Sequence, residues 1–188
     1  MAMNNGSKAS MDESTFWAII ESAGSPDRCS PDEQCERITE ALASLSQSEL
    51  VGFENRRNEL LHRAYTWPMI KACFVVLSYV SDDVFEDFRH WLILNGRERF
   101  EAAVKDPDSM ADFIDVEDPA EEISGEPLLF VVDNAWHGDI EEIEEQVEFP
   151  EPPDISDDWP PKETLQAEFP KLFEGFWDED RISEIHGD

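Results

Sequence analysis

The chain has 188 residues, 40% of them hydrophobic, with twelve Phe and six Trp, and carries a formal charge of −31. That length and apolar content supply a real core and exclude wholesale disorder, while the charge repels a phosphate backbone and sets direct DNA or RNA binding aside in favour of a basic partner. The longest strictly apolar run, residues 72–77, is far below the roughly 18 residues of a membrane span.

Residues 1–11 are polar, with Asn4-Asn5-Gly6-Ser7 and no apolar core of a secretory signal. They read as a flexible leader, with Met11 a candidate alternative start. A first helix over 15–22 takes its cap from Asp12 or Ser14, buries Phe16, Trp17, Ile19 and Ile20, and ends before Gly24. Ser30-Pro31-Asp32-Glu33 is a capping box with proline at the first helical position, followed by the stripe Ile38, Ala41, Leu42 and Leu45. Ser46 and Glu49 repeat the box. The next helix therefore runs back antiparallel, with Leu50, Phe53, Leu60, Leu61 and Ala64 on its apolar side. Pro68 opens a fourth helix over 69–79, apolar on nearly every side and so expected to be the most buried.

Residues 81–112 combine apolar, charged and stop signals most densely. Ser81 caps a helix whose first turn carries Asp82 and Asp83, where the helix dipole favours negative charge. Phe85, Phe88 and Leu92, widened by Val84 and Trp91, form one inward face. Asn95-Gly96 supplies a left-handed exit, Arg97 begins a second helix with Phe100, Ala103 and Val104 inside, and Asp106-Pro107-Asp108 stops it.

The order and spacing of Ser81, Asp82, Asp83, Phe85, Phe88, Arg89, Trp91, Leu92, Ile93, Gly96, Arg97, Asp106, Pro107, Asp108 and Ser109 resemble the bacterial family known as domain of unknown function 4240. Two flanking pieces are similar to it as well: residues 12–20 with Phe16-Trp17, and Phe169-Pro170-Lys171-Leu172-Phe173. The likeness spans roughly residues 11–177. Where that family often has a Gly-Gly turn before its Ser-Asp-Asp, this chain has Leu77-Ser78-Tyr79-Val80. The resemblance implies a helical fold and a bacterial setting, and it brings no activity, cofactor or catalytic residue.

Through Lys105 there are 17 acidic residues against 11 basic ones; after it there are 28 against three, so the charge is regional. Residues 127–136 suit a strand by Phe130-Val131-Val132 or a short buried helix, and the helical context selects the helix. Ile140, Ile143 and Val147 leave one thin apolar seam on a helix otherwise made of Glu141, Glu142, Glu144, Glu145 and Glu148. Five prolines and Trp159 make 149–161 an extended strap, and Phe169, Leu172, Phe173, Phe176 and Trp177 form a helical aromatic cluster that folds back as an anchor. The expectation is a mainly α, compact multi-helix domain over 12–137 and, over 138–188, an acidic, proline-containing extension that packs back through those aromatics.

No catalytic residue, metal site or cofactor is assigned. Cys29, Cys35 and Cys73 are odd in number and lack a CxxC pair, which argues for a reducing compartment, taken as the cytoplasm, and a zinc site at Cys29 and Cys35 lacks two ligands. His62, His90 and His137 have no metal-ligand spacing, and no phosphate loop or nucleophile elbow is present. Ser81, Asp82, Asp83, Phe88, Arg89, Trp91, Gly96 and Arg97 read first as structure: a cap, dipole-stabilising acids, packing and turns. A cage of Trp67, Trp91, Trp159 and Trp177 is conceivable, although aromatics at helical spacing more often pack. Three functions remain in view. The favoured one is a non-catalytic protein-binding module, in the manner of an immunity or inhibitor protein, that docks Glu141, Glu142, Glu144, Glu145, Glu148, Asp157 and Asp158 on a basic partner such as a toxin domain. The others are a housekeeping or regulatory helical module whose acidity serves solubility, and a metal-dependent enzyme using Asp82, Asp83 and Arg89.

Overall fold

The computed structural model describes residues 10–115, 118–155 and 158–186. Among the described residues the regular structure is entirely helical. Met11 is tied to the third helix, donating its N–H to the Gly52 carbonyl at 2.9 Å and accepting from Arg56 Nε at 2.8 Å.

Local capping chemistry sets the helix starts. Helix α1 (Glu13–Ser22) begins where the Asp12 carboxylate accepts from the Thr15 N–H at 3.1 Å. Helix α2 (Pro31–Leu42) has the reciprocal bonds of a capping box, Glu33 N–H to Ser30 Oγ at 3.2 Å and Ser30 N–H to Glu33 at 3.1 Å. Helix α3 (Gln47–Ala64) starts with the Ser46 N–H on Glu49 at 2.8 Å. Helix α4 (Trp67–Leu77) is capped by Thr66 and carries Pro68 within its first turn, where a missing N–H costs nothing. It ends short of the expected Tyr79, because Ser78 turns left-handed at φ +62°. A serine thus adopts the conformation that the Gly-Gly turn would provide more freely.

Helix α5 (Asp82–Leu94) starts as read, with Ser81 Oγ accepting from the Val84 N–H at 3.3 Å. Gly96, at φ +85°, passes the chain into α6 (Arg97–Lys105), and a 3₁₀ turn follows at Pro107–Asp112. Helix α4, expected to be the most buried, buries seven of its eleven residues; α3 buries nearly as large a share, eleven of eighteen, among them Glu54, Asn55, Arg57 and Asn58. Helix α3 keeps Ser48, Glu49, Glu59, His62 and Arg63 in solvent, and neighbouring elements cover the polar residues between them.

Past a single turn, α7 (Pro119–Glu122), a 3₁₀ turn (Glu126–Phe130) that buries Leu128 and packs on α2 and α5 leads into α8 (Val131–Ala135), which buries Val131, Val132 and Ala135 and packs on α2. The helical alternative for 127–136 is the one adopted. The expected glutamate-rich helix is reduced to one turn, α9 (Glu141–Glu144). Ile143 is buried against α3 as the seam requires, but beyond it Asn58 Nδ2 donates to the Glu148 carbonyl at 2.9 Å and the Glu148 N–H donates to Asn55 Oδ1 at 2.7 Å. Those bonds take the backbone groups that a longer helix needs, and closely spaced glutamates repel.

The described part of the strap is free of helix until α10 (Lys162–Glu168), which leads into α11 (Pro170–Phe176) and α12 (Glu179–His186), the last not foreseen from sequence. Phe169 and Leu172 are fully buried, and α11 lies on α4 and on the 107–112 turn. Asp108 accepts from the first amides of α11, Lys171 N–H at 3.0 Å and Leu172 N–H at 2.9 Å, and Lys71 of α4 pairs with Glu168. The fold is a compact all-α domain with the acidic extension packed back on it through aromatic side chains.

Candidate functional site

The α5 motif does not gather a reactive cluster. Asp82 and Asp83 are exposed in the first turn of the helix, whereas Arg89 is 8% exposed. Its guanidinium lies 4.4 Å from the Tyr65 ring and 4.7 Å from the Phe85 ring, donating to the Leu61 carbonyl at 3.0 Å and the Phe85 carbonyl at 3.2 Å. Burial draws its pKa below the usual arginine value, opposed by the nearby Glu86 carboxylate, and the rings and carbonyls add to the compensation of the charge. Phe88 and Trp91 pack as a ring pair 5.5 Å apart, and Arg97 pairs with Glu101 at 2.7 Å on the surface. Asp82 and Arg89 do share the lining of a shallow cavity of about 390 Å³ with His62 and Tyr65, closed on one side by Phe149 and Pro150 of the strap.

Beneath α5 lies a polar group invisible to periodicity. Arg57 pairs with Glu54 and donates to the Leu128 carbonyl at 2.9 Å, while His90, fully buried, bonds the Glu86 carbonyl through Nδ1 at 3.0 Å. Burial, reinforced by the nearby Arg57, lowers the His90 pKa to about 3, so the ring is neutral. Burial also raises the Glu54 carboxyl, opposed by its arginine. Alongside, the half-buried Asp87 accepts from the Gly125 N–H at 2.8 Å, and burial raises its pKa too. These residues hold the 124–130 segment to the core. The only sequence signal for them was the unbroken run Val51-Gly52-Phe53 on α3, which leaves no clean polar face.

The acidic residues expected to meet a partner are displayed outward. Glu141, Glu142, Glu144, Glu145 and Glu148 are all exposed, and the segment carrying them is fastened to α3 by Ile143, by the two asparagine bonds and by Gln47 Nε2 on the Glu142 carbonyl at 3.1 Å. Asp158 is exposed as well, and Asp157 lies outside the described residues. A second acidic concavity, of about 620 Å³, was not foreseen: Asp32, Glu36 and Glu40 on one side of α2 face Glu126 across a groove in which Phe130 is 48% exposed.

Three of the four tryptophans of the conceivable cage do converge, at the seam between α4 and the extension. The ring of Trp159 lies 5.0 Å from Trp67 and 5.0 Å from Phe74, and Phe74 lies 6.1 Å from Trp177. Trp91 is elsewhere, between Phe88 and Phe113. Among the described residues no group of three or more His, Cys, Asp or Glu side chains is placed to hold a metal ion. Cys29 bonds Arg37 at 3.0 Å, Cys35 is buried with its thiol pushed up to about 12, and Cys73 is buried within α4 with its pKa raised. No helix among the described residues is long and apolar enough to cross a membrane.

In comparison with known families, the model of a family described as a protein of unknown function (DUF4240) matches residues 11–137. The aromatic anchor at Phe169 lies beyond that match. No curated protein and no solved structure matches the chain.

Proposed function

This chain belongs to the DUF4240 family, and from that premise we propose that it is a non-catalytic protein-binding module that docks an acidic surface on a basic protein, as an immunity or inhibitor protein occludes a toxin domain. The observation that carries the reading is the mounting of residues 141–148. The backbone and the apolar seam of this segment are spent on α3, and its glutamates project into solvent from a fixed base. A preorganised array of like charge attracts an oppositely charged partner from a distance and loses little entropy on docking. The three unpaired thiols fit a reducing compartment, which we take to be the cytoplasm.

The test is capture of partners from native extract by the full chain and by a variant with Glu141, Glu142, Glu144 and Glu145 changed to Gln. One basic protein, bound at low salt, released at high salt, lost by the variant and inhibited by the parent chain is the expected outcome. Equal capture by both chains would place the acidity in solubility alone and support the housekeeping or regulatory reading.

A further inference from the structure

We propose that the cleft between α4 and the extension binds a small quaternary ammonium cation, in the place now taken by the ammonium of Lys162 over the Trp177 ring. The cleft has a volume of about 380 Å³, within the range of small-molecule sites. Its walls are Phe74 and Val80 from the family-matched region and Trp159, Pro160, Leu165 and Trp177 from the extension, so it exists only where the two pack together. Trp159 packs on Trp67 and Phe74 yet is 45% exposed, so a ligand entering from solvent can reach its ring.

The chain supplies its own stand-in for the ligand. Lys162 Nζ lies 5.5 Å from the centre of the Trp177 ring while pairing with Glu179. A ring face that holds an ammonium in this position has the quadrupole and the access to hold another cation. A quaternary ammonium group is the better occupant, because its charge is diffuse and weakly hydrated, whereas a lysine ammonium gives up strong hydration to sit on a ring. Displacement leaves Lys162 its pairing with Glu179, since both side chains reach solvent, at 41% and 64% exposure. An anion is disfavoured. Among the described residues Lys162 is the single cation lining the cleft, it is already neutralised by Glu179, and the extension around it is strongly acidic.

This site is independent of the docking surface proposed above. Its test is titration of the full chain with choline, followed by tryptophan fluorescence and calorimetry. The neutral isostere 3,3-dimethylbutan-1-ol and benzoate serve as comparison ligands. Saturable binding of choline is expected, with the neutral isostere roughly tenfold weaker or worse. Lys162→Met, which removes only an exposed ion pair and the resident cation, strengthens choline binding several-fold. Trp159→Ala weakens it by roughly tenfold, a ring's share of a cation–π cage, and Trp159→Phe restores part of the loss without opening the seam. Equal affinity for choline and its neutral isostere, tighter binding of benzoate, absence of saturation, or loss of binding in Lys162→Met would each overturn the proposal.

Discussion

Replacing Gly125 with Ala tests the joint between α5 and the 124–130 segment most sharply. A Cβ at this position falls 2.6 Å from His90 Cβ and closer still to the His90 carbonyl carbon and the Trp91 nitrogen. Carbon atoms pack at about 3.5–4 Å, so the segment must retreat by about 1 Å. That movement pulls Gly125 N–H from Asp87, now at 2.8 Å, and Leu128 O from Arg57, now at 2.9 Å. Hydrogen bonds to charged groups contribute about 1.5–3 kcal/mol each and overpacking costs about 1–3 kcal/mol. Allowing for partial relaxation, the variant should lose about 3–5 kcal/mol, a large share of the 5–15 kcal/mol typical of a domain. Gly175 is the internal control: it lies in α11 with nothing within 4 Å of an added Cβ, and Ala there should stabilise by about 0.5–1 kcal/mol. Urea unfolding followed by far-ultraviolet circular dichroism measures both. A Gly125→Ala loss below about 1 kcal/mol, or shifts of the same sign in the two variants, would refute the close-approach argument.

Cys35 and Cys73, buried and with raised thiol pKa values, should resist a thiol reagent in the native protein while Cys29 reacts; thiol titration with and without urea counts them, and two fast thiols would contradict the burial. His90, with its folded pKa at about 3 against about 6.5 in an unfolded chain, binds its proton only on unfolding across that window. Its contribution to stability is therefore lost as pH falls from about 6.5 towards 3, with a slope of up to about 1.4 kcal/mol per pH unit. Glu54 and Asp87, both raised, act the other way, their burial cost easing as pH falls. Comparison with His90→Gln by urea unfolding at several pH values isolates the histidine, and equal pH slopes in the two proteins would refute it. Asp108→Ala removes the acceptor for two amides at the start of α11 and should cost about 2–3 kcal/mol. Hydrogen exchange should show protection lost first in α11; uniform loss over α1 to α5 would mean that the extension is not held at that point.

The features legible in the chain are those whose causes lie within a few residues. Ser30 and Ser81 start helices because a side-chain oxygen three positions before an amide caps it whatever surrounds it, and at the start of α3 the Glu49 carboxylate reaches back to the Ser46 N–H. Gly96 takes the left-handed turn assigned to it, and the stripe of α5 and the anchor at Phe169 and Leu172 are buried because apolar residues at helical spacing must leave water together. The candidate site was legible only as composition: which residues are acidic and which aromatic.

Tertiary structure decided where those residues meet. Glu54 and Arg57 are buried because α5 and the 126–130 turn, both well beyond α3 in the chain, cover that helix and answer Arg57 with the Leu128 carbonyl, and His90 is buried on the covering helix. Glu141 begins only one helical turn because Asn55 and Asn58, some 90 residues earlier, claim the backbone of Glu148. Trp159 and Trp177 line a cleft with Phe74 while Trp91 does not, although all three tryptophans look alike in the sequence. Helical spacing states which side of a helix is apolar, but the partner that covers it is chosen by packing among segments far apart along the chain.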